Sequence, residues 1–298
     1  LSKLSTERKL TMPLDFTPFT MTADEFVPEH LNFKVEFEPT KVKDKKYVIN
    51  GDTGDYIGVV GNSFNCASHG AFFEGIHNTV TEHIGDSECD NMNMKWNTAR
   101  NNAWAMLDMT LPEVTSKIYT DKHETTISQR IIALHGIDGS CSNQVFFGAI
   151  DFFCTNGMIK GDYDKVRRKN TANFTMDNFI RDLKRSVTDF YAQSEEYQRW
   201  ASSNVTSNAV KLALDSIMKS DRKSENMYSL FQQEASVRGY NVFSLYSAFT
   251  NYATYADERN GFTLRNTGND TQSVSMFNRE QKVSTWVDTP AFQQLVAA

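Results

Sequence analysis

The chain has few of the features that mark secreted, membrane-spanning or well-known catalytic proteins. Its four cysteines, Cys66, Cys89, Cys141 and Cys154, lie far apart in 298 residues with no C-x-x-C pair. That spacing writes neither a disulfide framework nor a paired-cysteine zinc site, and reduced thiols are expected. No apolar run approaches the ~20 residues that a membrane span requires. The opening LSKLSTERKL also lacks the apolar stretch of a secretory signal. A soluble, intracellular protein without a membrane partner is therefore expected.

Catalytic signatures are equally scarce. GDTGDYIGVVGNS carries glycines but neither the Lys-Ser/Thr ending of a nucleotide-binding loop nor G-x-G-x-x-G spacing. There is no G-x-S-x-G, no H-E-x-x-H, and no carboxylate pair in a glycosidase-like context. Neither an enzyme nor a bound cofactor is expected. Internal repeats and low-complexity tracts are absent too.

What is present is a globular composition, 40% hydrophobic and 23% charged, with a net charge of -6. An acidic total argues against coating duplex DNA by bulk charge but leaves room for a local basic surface. The aromatic content is high: 21 Phe, 11 Tyr and 4 Trp, 12% of the chain. Such rings fill a core or stack on something flat.

Residues 1–32 hold three prolines and no sustained period, and read as an N-terminal arm. Short β segments follow, VEFEPTKV, KKYVI and YIGVVG, with NGDTGD as a turn. Residues 69–84 place Ala71, Phe72, Ile76, Val80 and Ile84 at helical spacing. The middle is strand-rich: residues 103–111, 128–134 and 143–153, the last two flanking HGIDGSCS, whose Asp138-Gly139 pair marks a hairpin turn. In NQVFFGAIDFF both alternating faces are apolar, as in a central strand. From Thr175 the period becomes helical, predicting a helix over 176–200, then others near 207–219 and 241–255. Residues 257–298 are polar with weak periodicity and read as a loosely structured C-terminal extension ending in a short helix, TPAFQQLVAA. The expected fold is α+β: a curved antiparallel sheet with a central hairpin, backed by amphipathic helices, over residues 33–256.

Two constellations bear on chemistry. Cys66, His69, His77, His83 and Cys89 are residue types that bind zinc. His77 and His83, however, are six apart and cannot share one helical face, so polar side chains around a helix and loop are the preferred reading. The second constellation is basic. Residues 160–185 carry eight cations against four anions, a local +4 in an acidic chain. Lys165, Arg167, Arg168, Lys169, Arg181, Lys184 and Arg185 would contact phosphates, and Phe174 would stack on a base, the combination that binds single-stranded nucleic acid. The plainer alternative is a solvated loop and helix face beside a Phe-filled core.

Four blocks carry a family resemblance. YIGVVGNSF, IIALHGIDGSCSNQVFFGAIDFFCTNGMI, KVRRKNTANF and NVFSLYSAFTNYATYA resemble, in order, the blocks of the phage- and plasmid-like family known as domain of unknown function nine-three-two. The most specific pieces are Asp138-Gly139-Ser140, Cys154-Thr155-Asn156, residues 165–170, and Leu245-Tyr246 through Asn251-Tyr252. The chain departs from the family pattern in a shortened spacer after Asn156 and in Ser247, where the final block has Asn. The resemblance implies a phage-encoded protein acting in the cytoplasm of the infected bacterial cell, as a DNA-metabolism accessory. The order of hairpin and helix is similar to that of phage single-strand annealing proteins, which implies single-stranded DNA as partner, self-association into a homo-oligomer, and contact with phage or host replication proteins. The competing expectation is an interaction factor inhibiting a host defence or nuclease system, its acidic surface imitating nucleic acid.

Overall fold

In the computed structural model, residues 26–89, 91–151, 157–159, 165–186, 190–256 and 272–297 of the chain are described. Of the sequence expectations, residues 1–25 of the arm, the Cys154-Thr155-Asn156 step, Phe152, Phe153 and residues 257–271 lie outside them.

Two antiparallel sheets are built in sequence order. β1 (Val35–Pro39), β2 (Lys45–Asn50) and β3 (Tyr56–Gly61) form a three-stranded meander. Its β2–β3 turn is closed by Asn50, whose side-chain oxygen accepts from the Asp52 and Thr53 amides, and by Gly54 at φ +79°. Helix α1 (His69–Ile84) follows, its first turn capped by Ser68, and the short α2 (Asp86–Cys89) comes next.

The larger sheet is the centre of the fold. β4 (Asn93–Ala99), β5 (Trp104–Tyr119), β6 (Glu124–Gly136) and β7 (Asn143–Asp151) pair as an antiparallel meander. β8 (Gly157–Ile159) and β9 (Lys165–Arg168) pair with consecutive stretches of the free edge of β7. The sheet curls into a half-barrel. One source of the curl is legible: between Leu111 and Thr115 the β5–β6 register slips, and Pro112, which has no amide hydrogen to give the ladder, sits in that bulge. The β6–β7 turn falls on Asp138 and Gly139 (φ +78°), where the Asp138 carboxylate accepts from the Ser140 amide.

Period-two alternation gives the sheet two apolar faces. Leu107, Met109, Ile131, Val145 and Phe147 point into the main core; Trp104, Met106, Ile132, Leu134 and Phe146 form a second cluster on the reverse. β7 is thus the central strand its sequence describes. The main core is closed by helices: α3 (Met176–Ser186), α4 (Phe190–Ser202), α5 (Ser207–Met218), α6 (Asp221–Arg238), α7 (Val242–Tyr255), α8 (Gln272–Val287) and α9 (Pro290–Ala297). α7 is buried along nearly its whole length, and its cap Asn241 works twice. The Asn241 side-chain oxygen accepts from the Ser244 amide at 2.8 Å, and its amide donates to the Arg238 carbonyl at 2.8 Å, tying α6 to α7. Asn241→Ala should cost about 1–2 kcal/mol in a urea titration.

Three expectations are corrected. The stripe over 176–200 serves two helices rather than one, because α3 packs on α1 and β9 whereas α4 packs on β5 and α7. Residues 272–297 are no loose extension: Val283, Trp286, Val287, Phe292 and Leu295 are buried in the main core. Their i, i+3, i+4 spacing is diluted by the polar residues between them, which is why the period reads as weak. At the other end, Val27 and Leu31 are buried in the same core, so this part of the arm belongs to the domain.

Candidate nucleic-acid interface

The basic segment folds as a strand edge, a tight turn and a helix start. In β9 the register pairs Val145 with Val166 and Asn143 with Arg168. Val166 and Arg168 therefore share the core face of the sheet, where α3 packs, while Arg167 falls on the reverse. The chain then turns at Asn170, which is buried and anchored to the β6–β7 hairpin: its amide donates to the Gly136 carbonyl at 2.6 Å, and its oxygen accepts from Asn143 at 2.6 Å. The Phe174 amide donates to the Thr171 carbonyl and Asn65 donates to the Phe174 carbonyl, fixing the turn. The Thr175 hydroxyl accepts from the Asn178 amide at the start of α3.

These elements enclose a cleft of about 470 Å³ lined by Arg168, Lys169, Thr171, Asn173, Phe174, Thr175, Asn178, Phe179, Arg181 and Asp182. Cations predominate, three against one carboxylate, and the polar lining is rich in hydroxyls and amides. Arg168 is ion-paired to Asp182, and Arg181 donates to the neutral Asn178 side chain. Among the described residues, no carboxylate bridges Lys169 or Arg181.

Of the eight sequence candidates, the cleft brings together Arg168, Lys169, Phe174 and Arg181. Phe174 is corrected in role: it is buried against Phe179 and forms the floor, so its ring is not offered to a base. Arg167 projects to the opposite face. Lys184 lies on the α1 side of α3, bridged to Glu82 at 2.6 Å. The side chains of Lys165 and Arg185 lie outside the described residues. The structural part of Asn170 had a sequence signal, since it closes the basic block, but its burial had none.

The Cys/His constellation does not converge. Among the described residues, no three His, Cys, Asp or Glu side chains are grouped as a metal site. His69 instead meets His135 of β6, Nδ1 to Nδ1 at 2.8 Å, with its Nε2 2.8 Å from the Asn102 carbonyl. His77 packs on Phe26. Cys66 is pushed up to about 12 chiefly by burial, so it is no thiolate nucleophile at neutral pH.

Two of the buried arginines, Arg130 and Arg238, anchor carboxylate networks in the interior. Arg130 of β6 is gripped by Asp108 through two bonds of 2.6 and 2.7 Å and by Glu280 of α8 at 2.8 Å. Arg238 at the end of α6 pairs with Asp151 and Glu234. Both link elements distant in sequence, a structural use of charge.

No curated protein and no solved structure matches the chain. A family model described as a domain of unknown function, DUF932, matches residues 57–288, from β3 through α8. That span takes in the curled sheet, the basic cleft and both buried arginine networks, and the chain belongs to the DUF932 family.

Proposed function

We propose that the protein binds single-stranded DNA without sequence preference, as an accessory in DNA annealing or recombination, through the cleft between β9 and α3. The observation that carries this reading is the convergence of Lys169 and Arg181 on one cleft where cations outnumber carboxylates, in a chain whose total charge is negative. With Phe174 forming the floor, phosphate contacts rather than base stacking supply the affinity. Binding is then strongly salt-dependent and indifferent to sequence. Annealing would follow from several copies of the cleft presented in a homo-oligomer.

The test is fluorescence anisotropy with a labelled oligothymidine over a salt series. The affinity should fall with rising salt, by about 0.7 in log-log slope for each phosphate contact. Lys169→Gln and Arg181→Gln should each weaken binding and flatten the slope by about that amount, whereas Arg167→Gln, on the other face of the sheet, should change little. Absence of binding at low salt, or an equal loss from all three variants, would refute the cleft.

A further inference from the structure

Resting on that reading, a second feature of the cleft concerns its strength. Arg168 is the cation best placed by the fold: the β9 register sets it on the face that α3 covers, and it lines the cleft beside Lys169. Yet its guanidinium is engaged by the Asp182 carboxylate, in the second turn of α3 and itself part of the lining. The Asp182 side chain is 22% exposed and that of Arg168 52% exposed, so the pair lies at the mouth within reach of an incoming anion. An ion pair this exposed is weak enough to exchange partners. A phosphate entering the cleft meets Lys169 and Arg181 ready to bind, and must displace a carboxylate to reach Arg168.

We propose that Asp182 is an affinity-setting residue, an internal anion that occupies Arg168 and holds the cleft below its full strength for single-stranded DNA. Its carboxylate stands in for one phosphate. Keeping that position filled limits the grip on the strand and favours release. Glu195, exposed on α4 and outside the cleft lining, supplies the control: its neutralisation changes the net charge equally without freeing Arg168 or touching another cleft cation.

The experiment is the same anisotropy salt series with four variants. Asp182→Asn should bind about fivefold tighter at low salt, with a slope steeper by about 0.7, the mark of one added phosphate contact. Glu195→Gln should leave the slope unchanged. Arg168→Gln should weaken wild-type binding without changing the slope, because it leaves the Asp182 carboxylate unpaired at the mouth while removing no phosphate contact, and in the Asp182→Asn background it should return the slope to the wild-type value. A slope that responds to Arg168 only when Asp182 is neutral identifies the pair rather than the charge. Equal gains from Asp182→Asn and Glu195→Gln, or no gain from Asp182→Asn in a protein that does bind, overturn this inference and leave the cleft standing. No binding by any variant overturns both.

Discussion

Arg130→Met should destabilise the protein by about 3–5 kcal/mol. Burial alone disfavours the guanidinium charge, but Asp108 and Glu280 hold Arg130 above the ordinary arginine range. Removing the cation strands two carboxylates in the interior. One of them is already incompletely satisfied: Glu280 Oε2 is buried with no hydrogen-bond partner among the described residues, and burial pushes its carboxyl above the usual range. The guanidinium also ties three elements, β5, β6 and α8, so the loss should appear as one cooperative shift of the urea midpoint with m preserved. High salt should not rescue it, since buried charges are little screened. The triple variant Arg130→Met/Asp108→Leu/Glu280→Met, which removes all three charges together, should recover most of the loss. A loss below about 1 kcal/mol for Arg130→Met would sink this account of the interior.

The same residues show how far the sequence carries. Elements whose apolar period is undiluted are legible: α1, α5, α7 and strands β5, β6 and β7 follow from alternation or helical spacing, and the β6–β7 turn from Asp138-Gly139. Helices α6 and α8 are not, because their interiors hold charge. Arg238, Glu234, Arg279 and Glu280 are all buried, and each counts as a solvent-facing residue in any hydropathy pattern. A buried arginine is made tolerable by carboxylates that arrive from other elements, Glu280 lying 150 residues from Arg130, and no local window contains that pairing. The basic cleft was half legible for the same reason. Charge density located the segment, but the two-residue period of β9, invisible within KVRR, decided that Arg168 and Arg167 face opposite ways. Burial of Phe174 likewise depends on α3 folding back over it, which aromatic content alone does not reveal.

Acidification from pH 6.5 to pH 4 should remove about 3 kcal/mol through His69 alone, with His135 adding to the loss. The geometry fixes the protons. A carbonyl only accepts, so His69 donates from Nε2 to Asn102, and its Nδ1 is left as an acceptor for His135 Nδ1–H. The far nitrogen of His135, Nε2, is then a buried acceptor without a partner, and the ring stacks on Phe72 at 4.3 Å. Burial lowers His69 to about 4, opposed by the Asn102 carbonyl and Asp138 and aided by His30. Burial and then the charge of His69 lower His135 well below its ordinary value. Both native values lie below the unfolded ~6.5, so the unfolded chain binds more protons under that pH and stability falls as pH drops toward 4. Glu280 acts with the opposite sign: its raised carboxyl favours the fold as pH falls from its folded value to the ordinary carboxylate value, and so offsets part of the histidine loss. Urea titrations at pH 7, 5.5 and 4.5 should show the decline in the wild type and a flatter profile in His69→Gln/His135→Leu, which retains a donor toward Asn102. Imidazole NMR signals that stay neutral to near pH 4 would confirm the cause in the unaltered chain, and titration of both rings near pH 6.5 would overturn it. Protonation would break the Nδ1–Nδ1 bond first. Since that bond joins α1 to β6, acid should loosen α1 from the sheet before it affects the arginine networks.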